Sequence, residues 1–491
     1  MNLAGIDLLA KGPLAEGDVF LGGRWLPAAD GRTYPVHDPA TGELIREVSS
    51  AGVEDARAAI EAARSAAEDW RTTPARRRSE ILHTTFELMR EHTDTLARLI
   101  VLENGKAYRD AAAEVGYAAE FFRWFAEEAV RVGSSFGDAP AGGYRHVVRK
   151  HPVGVTAFVT PWNFPAAMAT RKIAPALAAG CPVLLKPAPE TPLTALAVAA
   201  LLTEAGLPDG LLNVLPTDRA PEVVSAWLGD ERVRKFSFTG STATGRLLLE
   251  QAAANVVNVT MELGGNAPFV VCADADVDAA VRGAMDAKMR GGGEVCIAAN
   301  RFYVHADVAA EFTEKVGAAM AGVSAGPGLE EGVTLGPMIN RAAVDKIRSL
   351  VDDALARGAT IAAQGTTPEG PGHFHPATVL VDVPDDARIL HEEVFGPVAP
   401  LTTFTDEDEM VARANATVHG LASYVYSRDV GHALRIAERL EAGMVGVNRG
   451  LLSDPAAPFG GVKQSGLGRE GGREGIEAFL ETQYIALDWP L

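Results

Sequence analysis

The sequence predicts an α/β protein with two doubly wound parallel sheets, and three observations support this fold class. At 491 residues the chain is long enough for two to four domains of ordinary size. Hydrophobic residues make up 47% of it and charged residues 22%, close to the averages for soluble globular proteins. From about residue 153 onward, short apolar runs alternate with longer runs of helical periodicity, as expected for consecutive βαβ units.

The first alternating region follows a long helical region. Residues 53–132 are predicted to be helical because apolar side chains recur there every three or four positions, as at Ala56, Ile60 and Ala63. The strands predicted after them are Val153–Thr160, Pro182–Lys186, Leu211–Leu215, Lys235–Thr239 and Val256–Met261. The helices predicted between these strands are Ala166–Ala179, Leu193–Ala205 and Thr242–Ala252.

The alternation restarts after Gly264–Gly265, which predicts a second α/β domain that extends to about residue 460. Its first predicted strands and helices are Phe269–Val271, Ala275–Lys288, Arg301–Val304 and Val308–Met320. Residues 476–491 are predicted to form a short helix and then a strand that has no partner nearby in the sequence.

Charge and hydropathy exclude several classes of partner. The net charge of −19 would repel a phosphate backbone, so no nucleic-acid partner is expected, and an anionic ligand would need local positive groups. The longest uncharged apolar run, Ile173–Leu185, has 13 residues and is too short for a membrane span. The N-terminus lacks the pattern of a signal peptide. The three cysteines form no CxxC pair, so we expect a reduced cytoplasmic chain without a metal site.

Two glycine motifs resemble nucleotide-binding loops but lack the required context. Gly466–Gly471 fits the GxGxxG pattern, yet it follows a loop instead of a strand and is predicted to be a turn. Gly240–Gly245 resembles the start of a P-loop, but Arg246 and Leu247 occupy the positions of its Lys and Ser/Thr. Because Gly240–Gly245 lies between a predicted strand and helix, its backbone N–H groups are candidates for binding a pyrophosphate.

Three residues could carry covalent chemistry. Cys296 follows the run Gly291–Gly293, where a thiol could be exposed and held as thiolate, although a buried inert cysteine is the commoner case. Glu262, at a strand end, could act as a general base or be a solvated loop carboxylate. Asn163, between two prolines, could donate to an oxyanion or only stabilise its turn.

Together these segments resemble the aldehyde dehydrogenase superfamily over nearly the whole chain. The matching segments, in order, are Pro161–Pro165, Lys186–Pro187, Phe238–Gly245, Glu262–Pro268, Cys296 in its glycine loop, Glu392–Pro397 and Pro458–Gly461. The resemblance implies a Rossmann-like NAD(P)-binding domain (1–132 and 154–264), a catalytic domain (265–460) and a small oligomerisation flap (133–153 and 476–491). It also implies a homodimer or homotetramer.

The resemblance further implies a role for each residue. Cys296 would attack the aldehyde, the Asn163 amide and the Cys296 N–H would stabilise the oxyanion, and Glu262 would activate the water that hydrolyses the thioester. The cofactor would be held by seven residues, with Lys186 on the adenosine ribose and Glu393 on the nicotinamide ribose. The other five are Trp162, Pro189, Gly240, Ser241 and Phe395.

Three positions resemble the residues that bind the substrate carboxylate in succinate-semialdehyde dehydrogenases: Arg171, Arg290 and Ser453. Each arginine alone could form an ordinary surface salt bridge, but guanidinium groups can also bind a carboxylate bidentately. The sequence departs from that group at Gly291, where Asn is frequent, and from the wider family at Glu294, where Gln is common. A regulatory disulfide with the nucleophile is excluded because position 298 is alanine.

The predicted function is NAD(P)-dependent oxidation of succinate semialdehyde to succinate. Glutarate semialdehyde and a neutral or amino aldehyde remain alternative substrates, and a non-catalytic, crystallin-like protein remains an alternative of a different class. In NAD-preferring relatives, the third residue after the lysine that matches Lys186 is commonly glutamate; here it is Pro189, so NADP is expected to be preferred over NAD.

Overall fold

The computed structural model of the protein describes residues 17–488. The absence of a signal peptide concerns residues that lie outside this range, and so do positions 1–16 of the predicted cofactor domain and 489–491 of the predicted flap. No helix within residues 17–488 is long and apolar enough to cross a membrane.

The chain forms strands and helices throughout, numbered here in chain order. The strands are β1 (Val19–Leu21), β2 (Arg24–Leu26), β3 (Thr33–His37), β4 (Leu44–Ser49), β5 (Ser135–Asp138), β6 (Arg145–Pro152), β7 (Val155–Val159), β8 (Val183–Lys186), β9 (Leu212–Val214), β10 (Val233–Thr239), β11 (Asn258–Glu262), β12 (Ala267–Val271), β13 (Ala299–His305), β14 (Thr360–Gln364), β15 (Thr378–Val381), β16 (Val398–Phe404), β17 (Ala422–Tyr426), β18 (Met444–Val447), β19 (Gly466–Leu467) and β20 (Leu480–Leu487).

The helices alternate with the strands after residue 153, and the region 53–132 is helical as predicted. The helices are α1 (Val53–Thr72), α2 (Ala75–Glu91), α3 (Thr93–Asn104), α4 (Tyr108–Ala129), α5 (Pro165–Ala179), α6 (Pro192–Glu204), α7 (Ala220–Leu228), α8 (Thr242–Ala253), α9 (Val277–Met289), α10 (Ala306–Ala321), α11 (Arg341–Ala356), α12 (Glu407–Asn415), α13 (Val430–Arg439) and α14 (Glu474–Glu477).

The first large sheet has the strand order β19-β11-β10-β7-β8-β9-β1-β2. Its five central strands, β7 to β11, are parallel, and their apolar side chains are buried on both faces, as a sheet covered by helices requires. From β7 the chain proceeds through β8 and β9 on one side and returns as β10 and β11 on the other. The strand order therefore reverses between β7 and β10, and ligands of open α/β sheets bind at such a point, outside the carboxyl ends of the strands.

The second large sheet has the order β14-β15-β16-β13-β12-β17-β18 and is parallel except for β14. A cluster of stacked and tilted aromatic rings around Phe269 packs its centre. The two doubly wound sheets confirm the α/β fold class predicted from the alternation of apolar runs.

The C-terminal strand β20 pairs with a strand that is far from it in the sequence. β20 pairs antiparallel with β6 along its whole length, and β6 pairs in turn with β5, so these strands form a separate three-stranded sheet. The sequence predicted this strand without a local partner; the structure places the partner more than 300 residues earlier in the chain.

Candidate active site

A cavity of about 410 Å³ lies at the carboxyl ends of β7, β10 and β11, where the first sheet reverses its strand order. The loop that precedes β13 in the second sheet closes its other side. Of the thirteen predicted site residues, eleven line the cavity, and Lys186 and Pro189 do not. The lining residues are Trp162, Asn163, Arg171, Gly240, Ser241, Glu262, Arg290, Glu393, Phe395, Cys296 and Ser453.

Cys296 sits on a loop whose shape depends on three consecutive glycines. Gly291, Gly292 and Gly293 have φ values of +55°, +67° and +80°, a left-handed conformation that side chains rarely adopt. At Gly293 a Cβ atom would also lie 2.4 Å from the Gly396 carbonyl oxygen. The run therefore turns the chain sharply from α9 into the nucleophile loop, and Cys296 lines the cavity at the start of β13.

The structure bears on the protonation state of the thiol, which the sequence left open. Cys296 is half-buried, and burial raises the pKa of its thiol to about 12. The nearby Glu393 and Glu262 raise this pKa further, while Arg171 and Arg290 lower it. Of the two possibilities left open by the sequence, burial favours the neutral thiol over the exposed thiolate, because loss of hydration outweighs the two guanidinium groups.

Hydrogen bonds fix both the side chain and the backbone of Asn163. Its side-chain amide donates to the Glu294 carbonyl at 2.8 Å, while its buried Oδ1 has no hydrogen-bond partner among the described residues. Lys106 donates to the Asn163 backbone carbonyl at 2.6 Å and forms a buried ion pair with Glu114, also at 2.6 Å. Glu114 in turn accepts hydrogen bonds from the first N–H groups of α5. The loop that carries Asn163 is thus fixed by a buried charged pair.

Glu262 ends β11 inside the cavity wall, with 2% of its surface exposed and neither carboxyl oxygen hydrogen-bonded within the described chain. Burial raises its pKa well above the ordinary value, and the neighbouring Glu470 adds to this effect. Glu470 itself is ionised, since its ion pairs with Lys172 and Arg171 outweigh the effect of burial on its pKa. The raised pKa favours the neutral form of Glu262, whereas its action as a base requires the ionised form.

Arg171, Arg290 and Ser453 come together at one part of the cavity wall, although they are far apart in sequence. Arg290 donates to the Ser453 hydroxyl at 3.2 Å and lies over the Phe164 ring. Arg171 lies over the Phe459 ring, 4.3 Å from its centre, and its Nε is 2.5 Å from Glu470. Arg171 is thus not a free cation: one edge of its guanidinium is already paired, which the sequence did not indicate. Neither of the two flanking rings is charged.

The opposite part of the cavity has features suited to a dinucleotide. Ser241 caps the N-terminus of α8 by accepting from the Thr244 N–H, and a Cβ on the preceding Gly240 would clash with Phe238 at 2.4 Å. The rings of Trp162 and Phe395 meet edge to face at 5.4 Å. Backbone N–H groups at a helix start and flanking aromatic faces match the phosphate and base chemistry of such a cofactor.

Two further residues predicted to bind the cofactor are Glu393, which is half-buried, and Lys186, which is buried. Glu393 accepts from the Gly265 N–H at 3.1 Å, and burial raises the pKa of its carboxyl to about 7. Lys186, at the end of β8, donates to the Pro187 carbonyl at 2.6 Å. Burial lowers the pKa of Lys186 to about 8, and Glu190 counters this in part. Lys186 and the neighbouring Pro189 stand at the same sheet edge as the cavity but outside its lining.

The chain matches the sequence profile of the aldehyde dehydrogenase family over residues 25–485. It belongs to this family. A succinate-semialdehyde dehydrogenase of Paenarthrobacter nicotinovorans is 52% identical to it, over 91% of this chain and 99% of the relative. Two proteins of Pseudomonas putida are each 49% identical. They are a 3-sulfolactaldehyde dehydrogenase, covering 96% of this chain and 97% of its own length, and a glutarate-semialdehyde dehydrogenase, covering 98% and 99%.

The fold of this aldehyde dehydrogenase matches solved structures equally closely. The crystal structure of an NADP-dependent enzyme from E. coli superimposes with a TM-score of 0.95 at 47% identity, covering 96% of this chain and 98% of the other. The aldehyde dehydrogenase fold predicted from the order of motifs is thereby confirmed.

Both departures of this aldehyde dehydrogenase from its relatives have a structural account. Asparagine, frequent in relatives at position 291, tolerates the left-handed conformation better than most residues, so Gly291 with φ +55° preserves the same turn. Burial raises the pKa of Glu294 to about 8, so its side chain is mostly a neutral acid at pH 7. It accepts from the Ile339 N–H at 3.2 Å, as a glutamine could. Gly291 therefore conserves the backbone shape of the turn, and Glu294 in its neutral form conserves the charge that a glutamine would have.

Some residues of the site carry no local sequence signal. Tyr117 on α4 lines the cavity beside the arginines, and its hydroxyl interacts with Arg171 and Ser453. Glu470, which pairs with Arg171, lies within the glycine turn Gly466–Gly471, which was predicted only as a turn. Only the tertiary fold brings these residues to the site, because no spacing relates them to Cys296.

Proposed function

We propose that this aldehyde dehydrogenase oxidises succinate semialdehyde to succinate and prefers NADP to NAD. The observation that carries the substrate assignment is the cationic wall formed by Arg171 and Arg290 in the same cavity as Cys296. Because the chain as a whole carries a net charge of −19, two arginines in one cavity are well explained as a site for an anionic group.

The covalent steps use groups present in the cavity. The Cys296 sulfur bonds to the aldehyde carbon while its proton passes to ionised Glu262 and from there to solvent, and the carbonyl electron pair moves onto oxygen. The second amide proton of Asn163 and the Cys296 N–H donate to this oxyanion. After hydride loss the carbon is held as a thioester. Ionised Glu262 then removes a proton from the water that attacks it, which breaks the carbon–sulfur bond and releases the acid.

A nicotinamide dinucleotide would supply the hydride acceptor, and the residues at the sheet edge fit such a group. Gly240 and Ser241 would receive the pyrophosphate at the start of α8, and Trp162 and Phe395 would flank the site. The Glu393 carboxylate and the buried Lys186 ammonium are suited to bind ribose hydroxyls. Joint retention of Cys296, Glu262 and Asn163 in one cavity weighs against a non-catalytic, crystallin-like role.

The relatives support an anionic tail on the substrate. The names of all three relatives describe aldehydes that end in a carboxylate or a sulfonate. Tyr117 and Ser453 add hydroxyl donors to the arginines, and a carboxylate accepts several such bonds at once. Glutarate semialdehyde, one methylene longer, is the second candidate, because a relative of 49% identity is named for it.

The substrate assignment is best tested at Arg290, because Arg171 also holds Glu470. Arg290→Gln should lower kcat/KM for succinate semialdehyde by about 30-fold to several thousand-fold, since an unpaired buried carboxylate costs roughly 2–5 kcal/mol. Butanal, which lacks the carboxylate, should be affected several-fold at most. An equal loss for both substrates would make Arg290 structural. Comparing succinate and glutarate semialdehydes on the unmodified enzyme distinguishes the two lengths.

The cofactor preference rests on Lys186 and Pro189. Within the described chain Lys186 has no carboxylate within ion-pair distance, so its ammonium is available to a 2′-phosphate. Pro189 places no acceptor where a glutamate would repel that phosphate. The similar structure from E. coli is named as NADP-dependent, which agrees with this preference.

Parallel titrations with both cofactors test the preference. The unmodified enzyme should show the higher kcat/KM with NADP, and Pro189→Glu should reduce it selectively for NADP. Pro189→Gln, similar in size but uncharged, is the matched control and should have the smaller effect. An enzyme that ignores NADP, or a Pro189→Glu variant that keeps its preference, would refute the proposal.

The division into domains follows the sheets. We assign 154–264, together with the part of 1–132 that the structure describes, to the cofactor domain and 265–460 to the catalytic domain. The separate β5-β6-β20 sheet is suited to join copies of this chain as a dimer or tetramer. A free nucleophilic thiol also requires a reducing compartment, which favours the cytoplasm.

A further inference from the structure

The second sheet has its own point of strand reversal, away from the catalytic cavity. From the carboxyl end of β12 the chain continues to β13 on one side, and from the carboxyl end of the adjacent β17 it continues to β18 on the other. Cys272 and Ser427 are the first residues after these two strands. Cys296 approaches the opposite end of β12, where its carbonyl packs on Gly265. Such crevices in α/β sheets are typical places for ligands.

Three potential metal ligands converge in this crevice. The Cys272 sulfur, an Asp274 carboxylate oxygen and a His432 ring nitrogen all lie within 4.8 Å of one another. No other set of three such residues was found within residues 17–488. The Cys272 side chain is 3% exposed, and its thiol has no hydrogen-bond partner in that range. A buried thiol without a partner, aimed at an imidazole and a carboxylate, is a ligand set that zinc prefers.

The crevice gathers several acceptors around two donors, the Ser427 hydroxyl and the Asp429 N–H, which donates to Asp274 Oδ2 at 3.1 Å. The Ser427 hydroxyl lies 2.9 Å from Asp274 Oδ2, 3.1 Å from the Asp429 carbonyl and 3.4 Å from His432 Nδ1. One hydroxyl proton can serve only one of these three acceptors well. With the proton of His432 on Nε2, its Nδ1 and the Asp274 carboxylate keep lone pairs that a cation between them and Cys272 would accept.

The imidazole is already oriented for coordination through Nδ1. The other ring nitrogen of His432, Nε2, lies 2.5 Å from a carboxylate oxygen of Glu407. Arg439 holds that carboxylate from the far side at 3.1 Å. A histidine that binds a metal usually donates its second N–H to a carboxylate in this way, which fixes the tautomer and the ring plane.

We propose that Cys272, Asp274 and His432 bind a zinc-type divalent cation, with Glu407 as a positioning residue behind His432. On binding, the sulfur–metal bond replaces the sulfur–hydrogen bond and the thiol proton is released to solvent. One thiolate and one carboxylate then balance the two charges of the metal, and a water completes a tetrahedral site. The sequence did not predict this site, because two of its ligands follow the end of β12 and the third lies on α13, more than 150 residues later.

Cobalt(II) titration of the full chain tests the proposal, because a cobalt–thiolate bond has a characteristic near-ultraviolet absorption band. The Cys296→Ser variant is used throughout, so that the catalytic thiol cannot contribute. One equivalent of cobalt should produce the band, and zinc should displace it. Adding Cys272→Ser should abolish the band, and adding His432→Gln or Glu407→Gln should weaken cobalt binding by about tenfold or more. Asp278→Asn, a nearby exposed carboxylate, is the matched control and should change nothing.

Two outcomes would overturn the proposal. A band that persists without Cys272 would place the cobalt elsewhere. The absence of a band at millimolar cobalt would mean that only a proton on His432 Nδ1 bridges it to Ser427. If Cys272→Ser does not fold, His432→Gln and Glu407→Gln still decide the matter, because both leave the strand ends intact. Single Cys272→Ser enzyme should keep its aldehyde oxidation within about twofold, since Cys272 is remote from the cavity.

Discussion

Burial favours the neutral forms of both side chains that are proposed to react in the cavity, Cys296 and Glu262. Burial raises the pKa of each, and each carboxylate near the thiol adds to the effect. A neutral thiol is a weak nucleophile and therefore resists adventitious oxidation and alkylation. Reaction then requires proton removal, which links nucleophile activation to the arrival of substrate and cofactor in the cavity.

The raised pKa of the Cys296 thiol predicts an unusual pH dependence of its alkylation. With a pKa of about 12, inactivation of the cofactor-free enzyme by iodoacetamide should accelerate about tenfold per pH unit from pH 7 to pH 10. A thiol of ordinary pKa would level off near pH 9. The rate is measured as loss of aldehyde oxidation, with free cysteine as the reference thiol. A plateau below pH 9 would show that the pKa of the Cys296 thiol is lower than its burial implies.

At the level of elements, the turn between α9 and β13 places the nucleophile. Its three left-handed glycines differ in how tightly the surroundings enclose them. A Cβ at Gly291 would find its nearest neighbour 3.6 Å away in Phe164, an ordinary contact, whereas at Gly293 it would press against backbone at 2.4 Å. The turn therefore has room for a side chain at Gly291 and has none at Gly293.

This difference gives a matched pair of substitutions. Gly291→Asn should keep kcat/KM within a few-fold of the unmodified enzyme, because asparagine adopts positive φ at small cost. Gly293→Ala should lower kcat/KM at least tenfold and also lower Tm, because the nucleophile loop must shift to admit the methyl group. Steady-state kinetics and thermal unfolding check both. Equal effects at the two positions would contradict the role given to backbone crowding.

At the level of the whole molecule, the three-stranded sheet exposes large apolar side chains. Phe136, Val147 and Ile485 are aligned across β5, β6 and β20, and Phe136 is 61% exposed. Their alignment in one cross-strand row puts them on the same face of the sheet. An apolar row on an otherwise acidic protein is suited to cover the same row, or another surface, of a second copy.

Charged substitutions in this row should disrupt the proposed dimer or tetramer. The double variant Phe136→Lys and Ile485→Lys should reduce the particle mass in light scattering towards that of a single chain, because burying two lysines at an interface is costly. Leu434→Lys, at an equally exposed apolar residue on α13, should leave the mass unchanged. An unchanged mass in the double variant would assign assembly to another surface.

The sequence predicts residues within local motifs well and residues that depend on tertiary contacts poorly. Cys296, Asn163 and Glu262 each stand beside glycine or proline turns that mark the ends of buried strands, so periodicity and motif order suffice to find them. Tyr117 lies on a helix and Glu470 in a glycine-rich turn, and only folding brings them to Arg171. The protonation of Cys296 could not be decided from the sequence for the same reason, since burial is a property of the whole fold.

Helix α4 connects the two parts of the proposed substrate site. Glu114 and Tyr117 lie three residues apart on it, about 4.5 Å along its axis. Glu114 binds the start of α5, next to the loop that carries Asn163, while Tyr117 contacts Arg171 and Ser453. In the proposed reaction, residues that surround both ends of the substrate would therefore be positioned by less than one turn of the same helix. A relative could select longer or shorter aldehydes by tilting this one helix, with its catalytic residues unchanged.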